Sequence, residues 1–217
     1  MLLTPGGIST EVSRWPATFE LVGGLPRSSG CRVNSAGHGF PRAFASARLP
    51  DVLIRTASPA DFNAIASLTV AAYAALPGMG PMGRYGEDLA DVAGRASHGT
   101  VLVAVEGEEI LGSLTYYDRY GEEMVPQAET LADLAGFRML ATALAGQGHG
   151  VGEALTVACI DRARAAGAPG ISLHTTDLMQ AAQRLYRRLG FERWTDIDLT
   201  IGRTKPMTVL GFRLLFT

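Results

Sequence analysis

From Asp51 onwards apolar residues recur in short blocks, some at every second position and some at every third or fourth, which predicts alternating strands and helices. Val52 to Arg55 reads as a first strand. Ser58, Pro59 and Asp61 supply an N-cap, a proline at the first helical position and an acidic residue at the third, so a helix should run to about Ala75. Pro77, Gly78, Gly80, Pro81 and Gly83 break the pattern from Leu76 to Gly86 into a mobile loop between two helices. A second helix, about Glu87 to Ala96, precedes a hairpin with strands Val101 to Val105 and Ile110 to Tyr117, joined through Glu106, Gly107, Glu108 and Glu109. The long loop Asp118 to Gly136 leads to a strand at Phe137 to Thr142. A helix ending near Ala166, a strand at Ile171 to Thr175, a helix from about Leu178 to Leu189 and a final hairpin complete the order. Asp177 is expected to cap that last helix and Gly190 to stop it.

Residues 1–50 follow no such period, because proline and glycine interrupt every apolar run. Their mildly basic, serine-containing composition is shared with organelle transit peptides. The reading adopted is a flexible or poorly structured N-terminal extension, or an upstream start that translation does not use, followed by one domain over 51–217.

The chain of 217 residues carries a net charge of -2, which argues against nucleic acid as the main partner, since binding a phosphate backbone needs clustered cations. No apolar run reaches the length of a membrane span. Cys31 and Cys159 form no metal-spaced or redox-spaced pair, so a cytoplasmic setting is expected. His38, His98, His149 and His174 are equally scattered, and no metal site is readable.

Gln147-Gly148-His149-Gly150-Val151-Gly152 opens the helix that ends near Ala166. A helix start offers unpaired N–H groups and a partial positive charge, and a turn bare of Cβ atoms there can wrap a phosphate closely. Neither the dinucleotide fingerprint nor the nucleoside-triphosphate loop fits, since Gly-x-Gly-x-x-Gly fails in register and the one lysine is Lys205. The pattern Gln/Arg-x-x-Gly-x-Gly/Ala does fit, through Gln147, Gly150 and Gly152, and it resembles the acyl-CoA pyrophosphate loop of the GNAT superfamily of N-acetyltransferases. Downstream, Ala182, Leu185, Tyr186, Leu189, Gly190 and Phe191 resemble that superfamily's closing motif, Asn-x-x-Ala-x-x-Leu-Tyr-x-x-Leu-Gly-Phe. The similarity covers about Asp51 to Thr217.

The resemblance implies an α/β GNAT fold, a mixed and mostly antiparallel sheet with splayed central strands flanked by helices, and acetyl-CoA as cosubstrate. It assigns Gln147, Gly148, His149, Gly150, Val151, Gly152 and Glu153 to the pyrophosphate. Leu140, Ala141 and Thr142 fall on the strand whose backbone pairs with the pantetheine arm; a plain core strand would look the same. Tyr186 stands where the family places the phenol that meets the CoA sulfur, although packing beside Leu185 and Phe191 would also use it. Where many relatives carry a glutamate before the central strand, this chain has Gly136. Glu122, Glu123, Glu129 and Asp133 in the preceding loop are the remaining candidates for the base, with Glu122 and Glu129 put first and an ordered water as the alternative. Tyr116 and Tyr117 could shape the acceptor pocket, and His174 reads as a buried, satisfied histidine.

The implied reaction is direct transfer of acetyl to a primary amine on a small molecule or peptide, without a covalent enzyme intermediate. The loop carboxylates lean towards a cationic acceptor. A catalytically silent acyl-CoA-binding sensor or assembly subunit is the alternative, and a homodimer is compatible with either.

Overall fold

Val101, Val103 and Val105 point to one face of their strand and Leu102 and Ala104 to the other, yet all are buried, so the sheet is covered on both sides. The computed structural model describes residues 52–123, 133–201 and 207–217; the extension read from residues 1–50 lies outside them. In chain order the elements are β1 (Leu53–Thr56), α1 (Phe62–Ala74), α2 (Arg84–Ala90), α3 (Val92–Ala96), β2 (Thr100–Glu106) and β3 (Glu109–Tyr117). There follow α4 (Tyr120–Glu123), β4 (Ala135–Thr142), α5 (Val151–Ala165), β5 (Gly170–Thr176), α6 (Gln180–Arg188), β6 (Glu192–Arg193), β7 (Leu199–Ile201) and β8 (Met207–Leu215).

The strands form one sheet in the order β1-β2-β3-β4-β5-β8-β6, with β7 also paired to β8. Among the described strands only β4 with β5 is parallel. This is the mixed, mostly antiparallel α/β architecture the resemblance implied. Ile65 of α1 and Val92 of α3 pack on Val101, Val103 and Val105. Val151, Leu155 and Cys159 of α5 pack on the opposite face with Leu102, Leu114, Phe137 and Leu173. Each such Val or Leu side chain contributes roughly 1.5–3 kcal/mol on burial.

The start of the first helical segment is built as its sequence predicts. Asp61 accepts from the Ser58 backbone N–H and hydroxyl at 2.6 and 2.8 Å, and from Arg55 at 2.8 and 2.9 Å. Elsewhere local chemistry differs from the reading. The single helix predicted over 87–96 is two helices broken at Asp91, whose carboxylate turns back to accept from the Gly94 N–H at 2.8 Å. Asp177 does not cap the last long helix: α6 begins at Gln180 with Met179 at its N-cap, and the Asp177 carbonyl accepts from the Gln180 side chain. Gly190 does end it, at φ +86°, with Gly190 N–H bonded to Arg187 O and Phe191 N–H to Tyr186 O.

Two departures from regularity shape the centre of the sheet. β4 pairs with β5 only where Ala135 to Phe137 face Ile171 to Leu173, and beyond that the strands part. On its other side β4 slips register against β3 between Ser113 and Thr115, and Met139 in that bulge has φ +55°, in the left-handed region that non-glycine residues rarely enter.

Candidate active site

The turn before α5 exposes Gln147, Gly148 and His149 and puts Gly150 at the N-cap with φ +79°. That angle favours glycine, and so does φ +76° at Gly148. The first intrahelical bond runs from Ala154 N–H to Gly150 O at 2.9 Å, so the amides of Val151, Gly152 and Glu153 have no acceptor within the helix. No side chain caps this end. The Glu153 carboxylate is turned away to Arg188 at 2.5 Å, joining α5 to α6. A Cβ on Gly152 would lie 3.7–3.9 Å from Thr142, Leu185 and Leu140, so the helix start, the free edge of β4 and α6 meet in one cleft. Leu140, Ala141 and Thr142 lie past the last β4–β5 pair, with their β5-side backbone unpaired by that strand.

A cavity of about 630 Å³ opens where the strands part. Arg138 and Met139 line it from β4, and His174, Thr175 and Thr176 from β5. Tyr73, Tyr85 and the 78–82 loop close its other side. Tyr73, Leu89, Met79, Met82, Tyr85, Met139 and Met179 form one apolar cluster, distinct from the core under α5.

Tyr186 is 4% exposed and packs edge-on to Phe137 and beside Phe191 and Phe212, with ring centroids 5.8–6.1 Å apart. Burial, then the neighbouring Tyr120 and Cys159, push its phenol far above the usual range, so it stays protonated. Among the described residues it has no hydrogen-bond partner. Burial likewise raises the Cys159 thiol far above its usual range.

The space a side chain at Gly136 would need is occupied by Tyr120: a Cβ there would overlap the tyrosine's Cγ and Cβ. This residue, in a helical turn within what the sequence read as a loop, lines the cavity and pairs through its hydroxyl with His174 Nδ1 at 3.3 Å. His174 Nε2 donates to Ile197 O at 2.9 Å. The histidine is half-buried, with both ring nitrogens hydrogen-bonded.

The other predicted positions are described only in part. Glu122 and Glu123 belong to α4, while Glu129 lies outside the described residues. Asp133 is exposed and does not line the cavity. Tyr116 and Tyr117 are both buried, on opposite faces, because the sheet is covered on both; neither lines the cavity. The tyrosines that do are Tyr73, Tyr85 and Tyr120. Among the described residues the lining holds one carboxylate, Asp177, and one guanidinium, Arg138. The glycine at 136 was the available signal for Tyr120, but nothing local says which ring fills the space. Among the described residues no helix is long and apolar enough to cross a membrane, and no cluster of three His, Cys, Asp or Glu could hold a metal.

Parted central strands beside a helix start bare of side chains define an acyltransferase-type α/β fold. The chain belongs to the acetyltransferase (GNAT) family, whose profile matches residues 65–191. It is 44% identical over 53 residues to the mycothiol acetyltransferase of Streptosporangium roseum, and 44% over 59 residues to that of Pseudarthrobacter chlorophenolicus. Those segments make up 24% and 27% of this chain and 15% and 18% of the relatives' length. Among solved structures, a GNAT family acetyltransferase from Brucella melitensis in complex with acetyl-CoA aligns at 25% identity with a TM-score of 0.53, covering 76% of this chain and 88% of that one. A Bacillus subtilis acetyltransferase in complex with CoA aligns at 16% identity and TM-score 0.55, over 76% of this chain and 99% of that one. The ribosomal-protein-alanine N-acetyltransferase of Brucella melitensis aligns at 19% identity and TM-score 0.57, over the same shares.

Proposed function

We propose that this chain transfers an acetyl group from acetyl-CoA to a primary amine by direct attack. The observation that carries the reading is the meeting of the bare α5 start and the free β4 edge in one cleft. Pyrophosphate would lie on the amides of Val151, Gly152 and Glu153, beside Gln147, Gly148, His149 and Gly150. The pantetheine arm would pair along Leu140, Ala141 and Thr142, bringing the thioester to the parting of the strands. The acetyl-CoA and CoA complexes of the two aligned acetyltransferases support the same ligand.

In the reaction the amine nitrogen attacks the thioester carbonyl carbon, a C–N bond forms as C–S breaks, the amine loses one proton and the thiolate gains one. A phenol held far above its ordinary range is a weaker acid than a thiol of pKa about 8.5. Tyr186 therefore acts chiefly as a hydrogen-bond donor to the departing sulfur. Glu122 or Glu129, or a water, takes the amine proton.

Calorimetry with acetyl-CoA and thiol release across an amine panel test the reading. Tyr186→Phe should lower turnover about 100-fold with little change in acetyl-CoA affinity. Tight acetyl-CoA binding with no turnover on any amine would replace the enzyme with a silent acyl-CoA-binding module.

A further inference from the structure

Two helices start side by side at the mouth of the cleft. α5 connects the parallel strands β4 and β5, and α6 connects β5 to β6, which runs the same way as β5 because both are antiparallel to β8. Each helix therefore returns along the sheet in the same direction. They meet at two levels: Leu185 lies 3.8 Å from where a Gly152 Cβ would stand, and Arg188 donates to the Glu153 carboxylate at 2.5 Å. Residues of α6 ahead of Leu185 consequently stand towards the residues of α5 ahead of Gly152, which are the glycine turn.

Arg184 is the cation so placed. It precedes Leu185 and lies one turn before Arg188 on the same face of α6, and helical side chains lean towards the start of their helix. Gln183 and Arg187 lie on another side, where Gln183 donates to Thr176 O and Arg187 stacks over Phe212. Arg184 is exposed, and among the described residues it has no hydrogen-bond or ion-pair partner. The turn beside it is short of positive charge. Gln147 stands at the place where the loop pattern also admits arginine, and it brings none. Glu153 puts a carboxylate in the first turn of α5, and Arg188 is committed to it. The amides of Val151, Gly152 and Glu153 offer hydrogen bonds and the partial charge of a helix start, but no full cation.

We propose that Arg184 is the cation of this phosphate site, its guanidinium pairing with a phosphate of CoA at the mouth of the cleft and supplying the charge that Gln147 lacks. The proposal rests on the acetyl-CoA reading and adds a residue from a second helix to the turn. A guanidinium presents paired N–H donors that match two phosphate oxygens, and such charge-assisted bonds are stronger than those from neutral amides.

The test uses the full chain and calorimetry. Arg184→Gln should bind acetyl-CoA at least tenfold less tightly, with an affinity that depends less steeply on salt. The exposed position has no protein partner to lose, so this variant should unfold at the wild-type temperature. Arg184→Lys keeps the charge and should recover most of the affinity. Arg187→Gln removes the same charge from another side of α6 and should stay within twofold of wild type. Two phosphate groups could take the contact, and 3′-dephospho-acetyl-CoA separates them: unchanged affinity in Arg184→Gln puts the guanidinium on the ribose phosphate, and a tenfold loss puts it on the pyrophosphate. Wild-type affinity for acetyl-CoA in Arg184→Gln overturns the proposal, as does an equal loss in Arg187→Gln. Failure of the wild type to bind acetyl-CoA overturns the acetyltransferase reading itself.

Discussion

His174 is held at both ring nitrogens, and the partners fix its tautomer. The Ile197 carbonyl can only accept, so Nε2 carries the proton and the neutral ring offers Nδ1 to the Tyr120 hydroxyl. Burial lowers its pKa to about 4, with Arg138 acting in the same direction and the Ile197 and Asp198 interactions opposing. An unfolded histidine titrates near about 6.5. Between those values the unfolded chain binds a proton that the folded chain refuses, so the stability His174 contributes is full above about pH 6.5 and lost as pH falls through about 4. Thermal unfolding followed from pH 7 to 4 should show that decline, and His174→Gln should flatten it. An unchanged slope in the variant would assign the acid sensitivity to other groups. At this scale the sequence showed a satisfied histidine but not its partner, since Tyr120 reaches it only because residue 136 has no side chain.

At the scale of elements, the start of α5 makes two glycines behave oppositely. Gly150 caps the helix at φ +79°, where asparagine is tolerated better than other side chains, and its side chain would then stand over the free amides. Gly150→Asn should therefore fold yet bind acetyl-CoA more than tenfold less tightly, a loss above about 1.4 kcal/mol. Gly152 lies inside the helix, and a Cβ there meets its neighbours at ordinary contact distance. Gly152→Ala should stabilise the protein by about 0.5–1 kcal/mol and leave affinity within a few-fold. Calorimetry and denaturant unfolding on the two variants check the pair; equal affinity in Gly150→Asn would remove the turn from the binding site. The sequence motif marked the turn and Gly190 marked the end of α6. Asp91 and Asp177 were less legible, because an aspartate caps whichever free amide lies nearest and the chain path selects it.

At the scale of the molecule, the residues 52–217 that are described carry one sheet and the apolar clusters on both its faces. A chain beginning at Asp51 should therefore unfold cooperatively and bind acetyl-CoA about as well as the full chain. Calorimetric unfolding of the two chains compares them directly. Loss of the transition in the shorter chain would make the first fifty residues part of the folding unit.

The order of strands and helices, the α/β class and the glycine turn were set by periodicity and by two motifs, because those signals are local: a period of two or of 3.6, a bare helix start, a residue that tolerates positive φ. The parting of β4 from β5, the filling of the Gly136 space by Tyr120 and the gathering of methionines along the cavity were decided only in three dimensions. Each joins residues far apart in the chain, and packing, which settles which side chain occupies a given volume, has no period along the sequence.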